Sequence, residues 1–96
     1  MKRSNTQPLK EVIKEYLDAL KMNSKLKEVS LISNWERLMG STISKATRDI
    51  YIKDRILFVY LNSSVVRNEL HILKDALLEK LNQEAGDSVI DDIVLK

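Results

Sequence analysis

Four cations bracket one short stretch of this chain: Lys45, Arg48, Lys53 and Arg55, with Arg37 nearby upstream. Guanidinium and ammonium groups pair with phosphate oxygens and displace condensed counterions, so these four are the best phosphate-binding candidates. The competing reading is a solvated surface, which is what most exposed charges are. Three aromatic residues are interleaved with the cations: Tyr51, Phe58 and Tyr60. Rings that face solvent from a sheet stack on unpaired bases. Phe58 and Tyr60 share a face with Ile56, however, and if helices cover that face the rings are core. Trp35 is expected to be core as well, because it recurs at helical spacing with Val29, Ile32 and Met39.

The residues that could do covalent chemistry are not grouped for it. His71 is the single histidine, and the only ligand candidate one turn later is Asp75. Asp91 and Asp92 are adjacent, so on a strand they point to opposite faces and cannot share a proton. No serine or threonine has a paired base, which a hydroxyl nucleophile requires. Cysteine is absent, which removes thiol chemistry, disulfides and cysteine-based zinc sites. No glycine-rich phosphate loop is present. The expectation is a protein that is not an enzyme, with no metal and no cofactor.

Composition bounds the rest. Ninety-six residues make one domain, and a chain of this size buries about 60–65% of its unfolded surface. At 44% hydrophobic and 31% charged it reads as folded rather than disordered. With Gly 2 and Pro 1 it favours long regular elements over a turn-rich all-β fold. Net charge is +2, but residues 1–55 hold 12 Lys/Arg against 7 Asp/Glu, a net +5, and residues 56–96 hold 4 against 7, a net −3. The first half is the one suited to an anionic partner. No apolar run approaches the roughly 20 residues needed to cross a bilayer. Met1 to Gln7 lacks the apolar core of a signal peptide. A cytoplasmic location is the expectation, and the absence of cysteine suits it.

Residues 1–7 are polar and expected to fray, with Pro8 in a first helical turn. Leu9, Val12, Ile13, Tyr16, Leu17 and Leu20 predict a helix over 8–22. Asn23-Ser24 is the expected break, and Leu26, Val29, Ile32, Trp35 and Met39 predict a second helix over 25–40. Gly40 is expected to end it in the left-handed conformation, with one more turn from Ser41 to Thr47. The period then becomes two, predicting strands at 47–53 and 56–62 joined at Asp54-Arg55. The second strand is apolar on both faces and therefore central or covered. Ser64 is the expected cap of a helix over 64–85, ended near Gly86, and a last strand follows over 88–95. These elements make a single domain over 8–96.

The order of elements, with Trp35, Gly40 and Ile43, Leu57-x-Val59, Asn62-Ser63-Ser64, Glu69-Leu70, Leu81-Asn82 before Gly86, and Ile90-x-x-Ile93, resembles the DciA-type family of bacterial replicative-helicase operators. The resemblance covers about residues 26–95, and the wording is most similar to short members from the Bacteroidetes. It implies an α+β, K-homology-like (KH-like) fold of order ααββαβ, with a three-stranded sheet and helices packed on one face. It also implies a non-catalytic accessory factor of DNA replication that engages the replicative helicase and contacts DNA weakly and without sequence specificity. The chain departs from the family in two places. It has Asp54-Arg55 where many members have a turn glycine, and it ends at Lys96 where many carry a basic extension, so a contact made by such an extension is not expected here. The Gly-x-x-Gly clamp of true KH domains is missing around both Gly40 and Gly86. A structural or oligomerisation module, including a homodimer, and a KH-like RNA binder are the alternatives.

Overall fold

The computed structural model describes residues 9–96. The expectations for residues 1–7 and for Pro8 lie outside these. Helix α1 runs unbroken over Leu9–Ser33, not as two helices. Asn23 and Ser24 lower helix propensity by only tenths of a kcal/mol each, too little to stop a helix with no Gly or Pro in its interior. The helix ends at Asn34, whose side-chain amide donates back to the Ser30 carbonyl at 2.8 Å and contacts its hydroxyl at 3.3 Å. The inward row is Leu31, Trp35 and Leu38: Trp35 belongs to the predicted row, Leu31 and Leu38 flank it, Met39 packs partly buried against the same core, and Leu26 and Val29 are exposed. The N-terminal part of α1 does not lie on the sheet. It extends from the body, and the described molecule measures 63 × 20 × 19 Å.

Helix α2 spans Trp35–Met39 and α3 spans Ser41–Ala46. Gly40 joins them at φ +87°, ψ 166°. This is not the left-handed helical conformation predicted but an extended one at positive φ, which is essentially closed to residues with a Cβ.

Strands β1 (Thr47–Lys53), β2 (Ile56–Leu61) and β3 (Asp92–Leu95) form one sheet in the order β1-β2-β3. The β1–β2 pair is antiparallel, with Tyr51 opposite Phe58 and Lys53 opposite Ile56, and the register shifts between Thr47 and Asp49. The β2–β3 pair is parallel, with Leu57 opposite Ile93. Asp54 and Arg55 close the hairpin at φ +52° and +65°, the two positive values of a two-residue turn that follows the strand twist.

The parallel pairing requires a crossover, which α4 (Ser64–Ile72) and α5 (Lys74–Ala85) supply. One helix over 64–85 was expected; the structure breaks it at Leu73, φ −97°, ψ 11°. The cap is Ser63, whose hydroxyl accepts from Val66 N–H at 3.3 Å, rather than Ser64. Gly86 is left-handed at φ +74°, and Asp87 N–H reaches the Asn82 carbonyl at 3.2 Å, a Schellman ending. The last strand starts at Asp92 instead of residue 88 because the Asn82 side chain takes the backbone groups of Val89 and Ile90.

Leu57, Val59, Leu61, Ile93 and Leu95 line the covered face of the sheet, packed with Leu31, Trp35, Leu38, Leu70, Leu77 and Leu81. The fold is therefore α+β and KH-like, with helices on one face of a mixed three-stranded sheet. The other face, carrying Tyr51, Lys53, Phe58 and Tyr60, is open.

Candidate nucleic-acid interface

The four predicted phosphate ligands are spread along one edge strand and its two ends, not brought to one point: Arg48 and Lys53 lie on β1, Lys45 just before it and Arg55 in the hairpin turn after it. Lys45 lies in the last turn of α3. Arg48 sits where the β1 register shifts. Such an irregularity leaves a residue out of the ladder and re-aims its side chain, and the Arg48 guanidinium lies over the Tyr60 ring at 5.9 Å from its centroid. Lys53 ends β1, five residues or about 17 Å from Arg48 at extended spacing. Lys45, Arg48 and Lys53 make no ion pair among the described residues.

Arg55 is different. Its Nε and Nη2 donate to the two Asp91 oxygens at 2.9 Å each, and Nη2 also donates to the Ser88 carbonyl at 2.8 Å. This fork holds the Asp91 carboxyl below the usual carboxylate range and the guanidinium above its own. Its charge is offset, so Arg55 ties the hairpin to the segment before β3. Arg37 lines a cavity of about 110 Å³ with Lys27, Asn34 and Glu84.

The aromatic residues stand opposite to expectation. The helix-covered face belongs to Leu57, Val59 and Leu61, and Tyr51, Phe58 and Tyr60 occupy the open one. Tyr51 and Phe58 stack at 5.0 Å between centroids and 18° between planes, and Tyr51 and Tyr60 at 6.1 Å and 23°. The Tyr51 and Tyr60 hydroxyls are 3.4 Å apart. That hydrogen bond raises the Tyr51 phenol above its ordinary value, with some help from burial. The signal was present in the sequence. One face of β2 is purely aliphatic, and the other ends in a tyrosine, whose hydroxyl favours a wet surface.

The remaining candidates are separated by the fold. Trp35 is 4% exposed, and its indole N–H donates to Thr47 Oγ1 at 3.0 Å, which donates to the Ile43 carbonyl at 2.7 Å. This chain of bonds joins α2, α3 and β1. His71 is exposed near the end of α4. Asp91 pairs with Arg55, while Asp92 pairs with Lys74 at 3.0 Å. Among the described residues no cluster of His, Cys, Asp or Glu has metal-site geometry, and no helix is long and apolar enough to cross a membrane. A second cavity of about 210 Å³ is lined by Met39, Ile43, Leu70, Leu73 and Leu77 beside Lys80. It lacks the convergent polar groups of a ligand or active site.

Sequence reasoning also missed the exposed apolar stripe of α1. Leu9, Ile13, Tyr16, Leu17 and Leu20 mark the apolar face of a helix expected to pack on the sheet, yet each is at least 45% exposed. Periodicity identifies an apolar face but not what covers it.

Comparison with known proteins supplies the family. A UPF0232 protein of Corynebacterium glutamicum (strain R) is 31% identical over 61 residues, which is 64% of this chain and 34% of that protein. The chain thus spans about a third of the length of this curated relative. No solved structure matches the chain. The family model described as "Dna[CI] antecedent, DciA" matches residues 8–95, nearly the whole of the domain built above, and the chain belongs to the DciA family.

Proposed function

We propose that this protein is a non-catalytic accessory factor of DNA replication that engages the replicative helicase and contacts DNA weakly and without sequence specificity. The observation that carries the reading is the family match over residues 8–95, a family whose name ties it to replication. The geometry supports both halves. A line of unpaired cations, Lys45, Arg48 and Lys53, runs from α3 along the edge strand β1 to the hairpin. Arg55 adds a fourth charge, offset by Asp91. Among the described residues no recognition helix stands ready to enter a groove, so in this reading the contact is to the nucleic-acid backbone. Three free phosphate ligands give a log–log salt slope of about −3, and such binding falls at a Kd of about 10⁻⁴ to 10⁻⁶ M.

The unpartnered stripe of α1 is the surface suited to a protein partner, because exposed contiguous apolar area marks interaction sites. In this reading the partner is the helicase. The same stripe favours a second reading, self-association through α1, which light scattering on the isolated chain distinguishes. Fluorescence anisotropy against single- and double-stranded oligonucleotides at low and moderate salt tests the DNA half. Affinity lost on changing Lys45, Arg48, Lys53 and Arg55 to Ala supports it, and affinity unchanged by those substitutions removes it. Co-purification with the helicase from the native bacterium tests the other half.

A further inference from the structure

We propose that the open face of the sheet is a stacking platform for single-stranded DNA, on which Tyr51, Phe58 and Tyr60 take bases while Arg48 and Lys53 hold the flanking phosphates. The inference deepens the DNA contact proposed above and rests on it. It adds base stacking to phosphate pairing, and with it a preference for single strands.

Three observations converge on this face. The first is aromatic content. Of the chain's five aromatic residues, Trp 1, Tyr 3 and Phe 1, three gather here, with the Tyr51 ring 5.0 Å from that of Phe58 and 6.1 Å from that of Tyr60 and its plane within 23° of each. The core does not use them, since the aliphatic row Leu57, Val59 and Leu61 fills the opposite side. The second is charge. Arg48 lies over Tyr60 and Lys53 follows Tyr51 by two residues on the same face, so cations stand on both sides of the rings along β1. The third is access. Among the described residues no helix covers this face, and Tyr51, on an edge strand, is 38% exposed. An aromatic face rimmed by cations has the chemistry of a nucleic-acid strand rather than of an apolar partner, because bases stack on rings while phosphates pair with the rim.

The same chemistry favours a single strand over a duplex. In a double helix the base faces are occupied by their neighbours, leaving only phosphates for the cations to meet. A single strand offers both. Stacking is tolerant of sequence because every base has a π-face, which agrees with a contact that lacks sequence specificity.

The test compares a single strand of about 15 nucleotides, within the range of such sites, with the duplex of the same sequence. The strand carries one 2-aminopurine, whose fluorescence falls when the base stacks. Wild-type protein is expected to bind the single strand roughly tenfold tighter than the duplex and to quench the probe. The combined Tyr51→Val, Phe58→Val and Tyr60→Val variant keeps β-branched side chains on the strands. It is expected to lose about tenfold or more on the single strand, to lose the quenching, and to keep its duplex affinity. If circular dichroism shows that this variant does not fold, Tyr51→Val alone on the exposed edge gives the same contrast at smaller size. Single-strand affinity unchanged by the aromatic substitutions overturns the platform while leaving the cationic contact intact. A variant that alters dimer mass but not single-strand binding overturns it in favour of a second copy on this face. Absence of wild-type binding to either oligonucleotide overturns the DNA reading itself.

Discussion

Asn82 and Ile90 are joined twice: the Ile90 N–H donates to Asn82 Oδ1 at 3.1 Å, and Asn82 Nδ2 donates to the Ile90 carbonyl at 2.9 Å. The same Oδ1 accepts from Val89 N–H at 2.9 Å. One amide from α5 thereby satisfies three backbone groups of a buried segment that has no strand partner, and delivers Ile93 into register with Leu57. Asn82→Ala leaves those groups unpaired and is expected to cost about 2–4 kcal/mol, at about 1–3 kcal/mol for each unsatisfied buried group less the share that water recovers. Urea unfolding measures it. A cost below about 0.5 kcal/mol would contradict the role assigned to this amide.

The two glycines separate backbone strain from crowding. A Cβ built at Gly40 or Gly86 meets nothing within 4 Å, so any penalty comes from φ and ψ. Gly86 is left-handed, a conformation that costs other residues about 1–2 kcal/mol. Gly40, at φ +87° and ψ 166°, lies in the region that is costlier, at about 1–3 kcal/mol. Gly40→Ala is expected to lower stability more than Gly86→Ala in the same denaturant series, and the reverse order would contradict the conformation described for Gly40.

Arg55 combines a strained backbone with a side-chain tether. Arg55→Ala removes the fork to Asp91 and keeps the strain at φ +65°. Arg55→Gly removes the fork and relieves the strain. The glycine variant is expected to melt above the alanine variant by roughly 4–8 °C, the shift that about 1 kcal/mol makes in a domain of this size. Equal melting temperatures would show that the turn is not strained.

Three carboxylates near the end of the chain contribute to the acid limb of stability. Asp87 is lowered by the Ser88 N–H and by Lys27, Asp91 by Arg55, and Asp92 by Lys74 and the Ile93 N–H, each below the ordinary value of 3.8. A folded-state pKa below the unfolded one contributes stability that is present above the unfolded value and lost as pH falls through the folded value. Melting temperature is therefore expected to hold at neutral pH and to decline below about pH 4. The Asp87→Asn, Asp91→Asn, Asp92→Asn variant is expected to decline less steeply over the same window. All three groups are exposed, so the effect is small and weakens with added salt.

The hairpin and the two glycine punctuations were legible because a period of two and a positive φ are local properties. The 47–53 strand and the 56–62 strand came out within a residue of β1 and β2. The errors lie where tertiary contacts decide. Asn23-Ser24 reads as a break, yet nothing in those residues forbids a helix. Val89 and Ile90 read as strand, but Asn82 takes their backbone groups first. Which face of β2 is covered does not follow from alternation, which is the same for both faces, but from the all-aliphatic row Leu57, Val59 and Leu61 set against a row that ends in the Tyr60 hydroxyl. The cations were found by type, while Arg55's pairing with Asp91, 36 residues away, has no signal in local spacing.

Engagement of the replicative helicase, as proposed, would use the exposed stripe of α1 as the contact. The direct measurement is capture of the purified helicase of the native bacterium by the tagged full chain, compared with a Leu17→Asp, Leu20→Asp variant. Both positions are exposed, so the fold is expected to survive the change within about 0.5 kcal/mol, which a melt of each protein checks. The wild-type chain is expected to capture the helicase and the variant to lose it. Helicase absent from the wild-type capture, with both proteins folded, would contradict the proposed engagement.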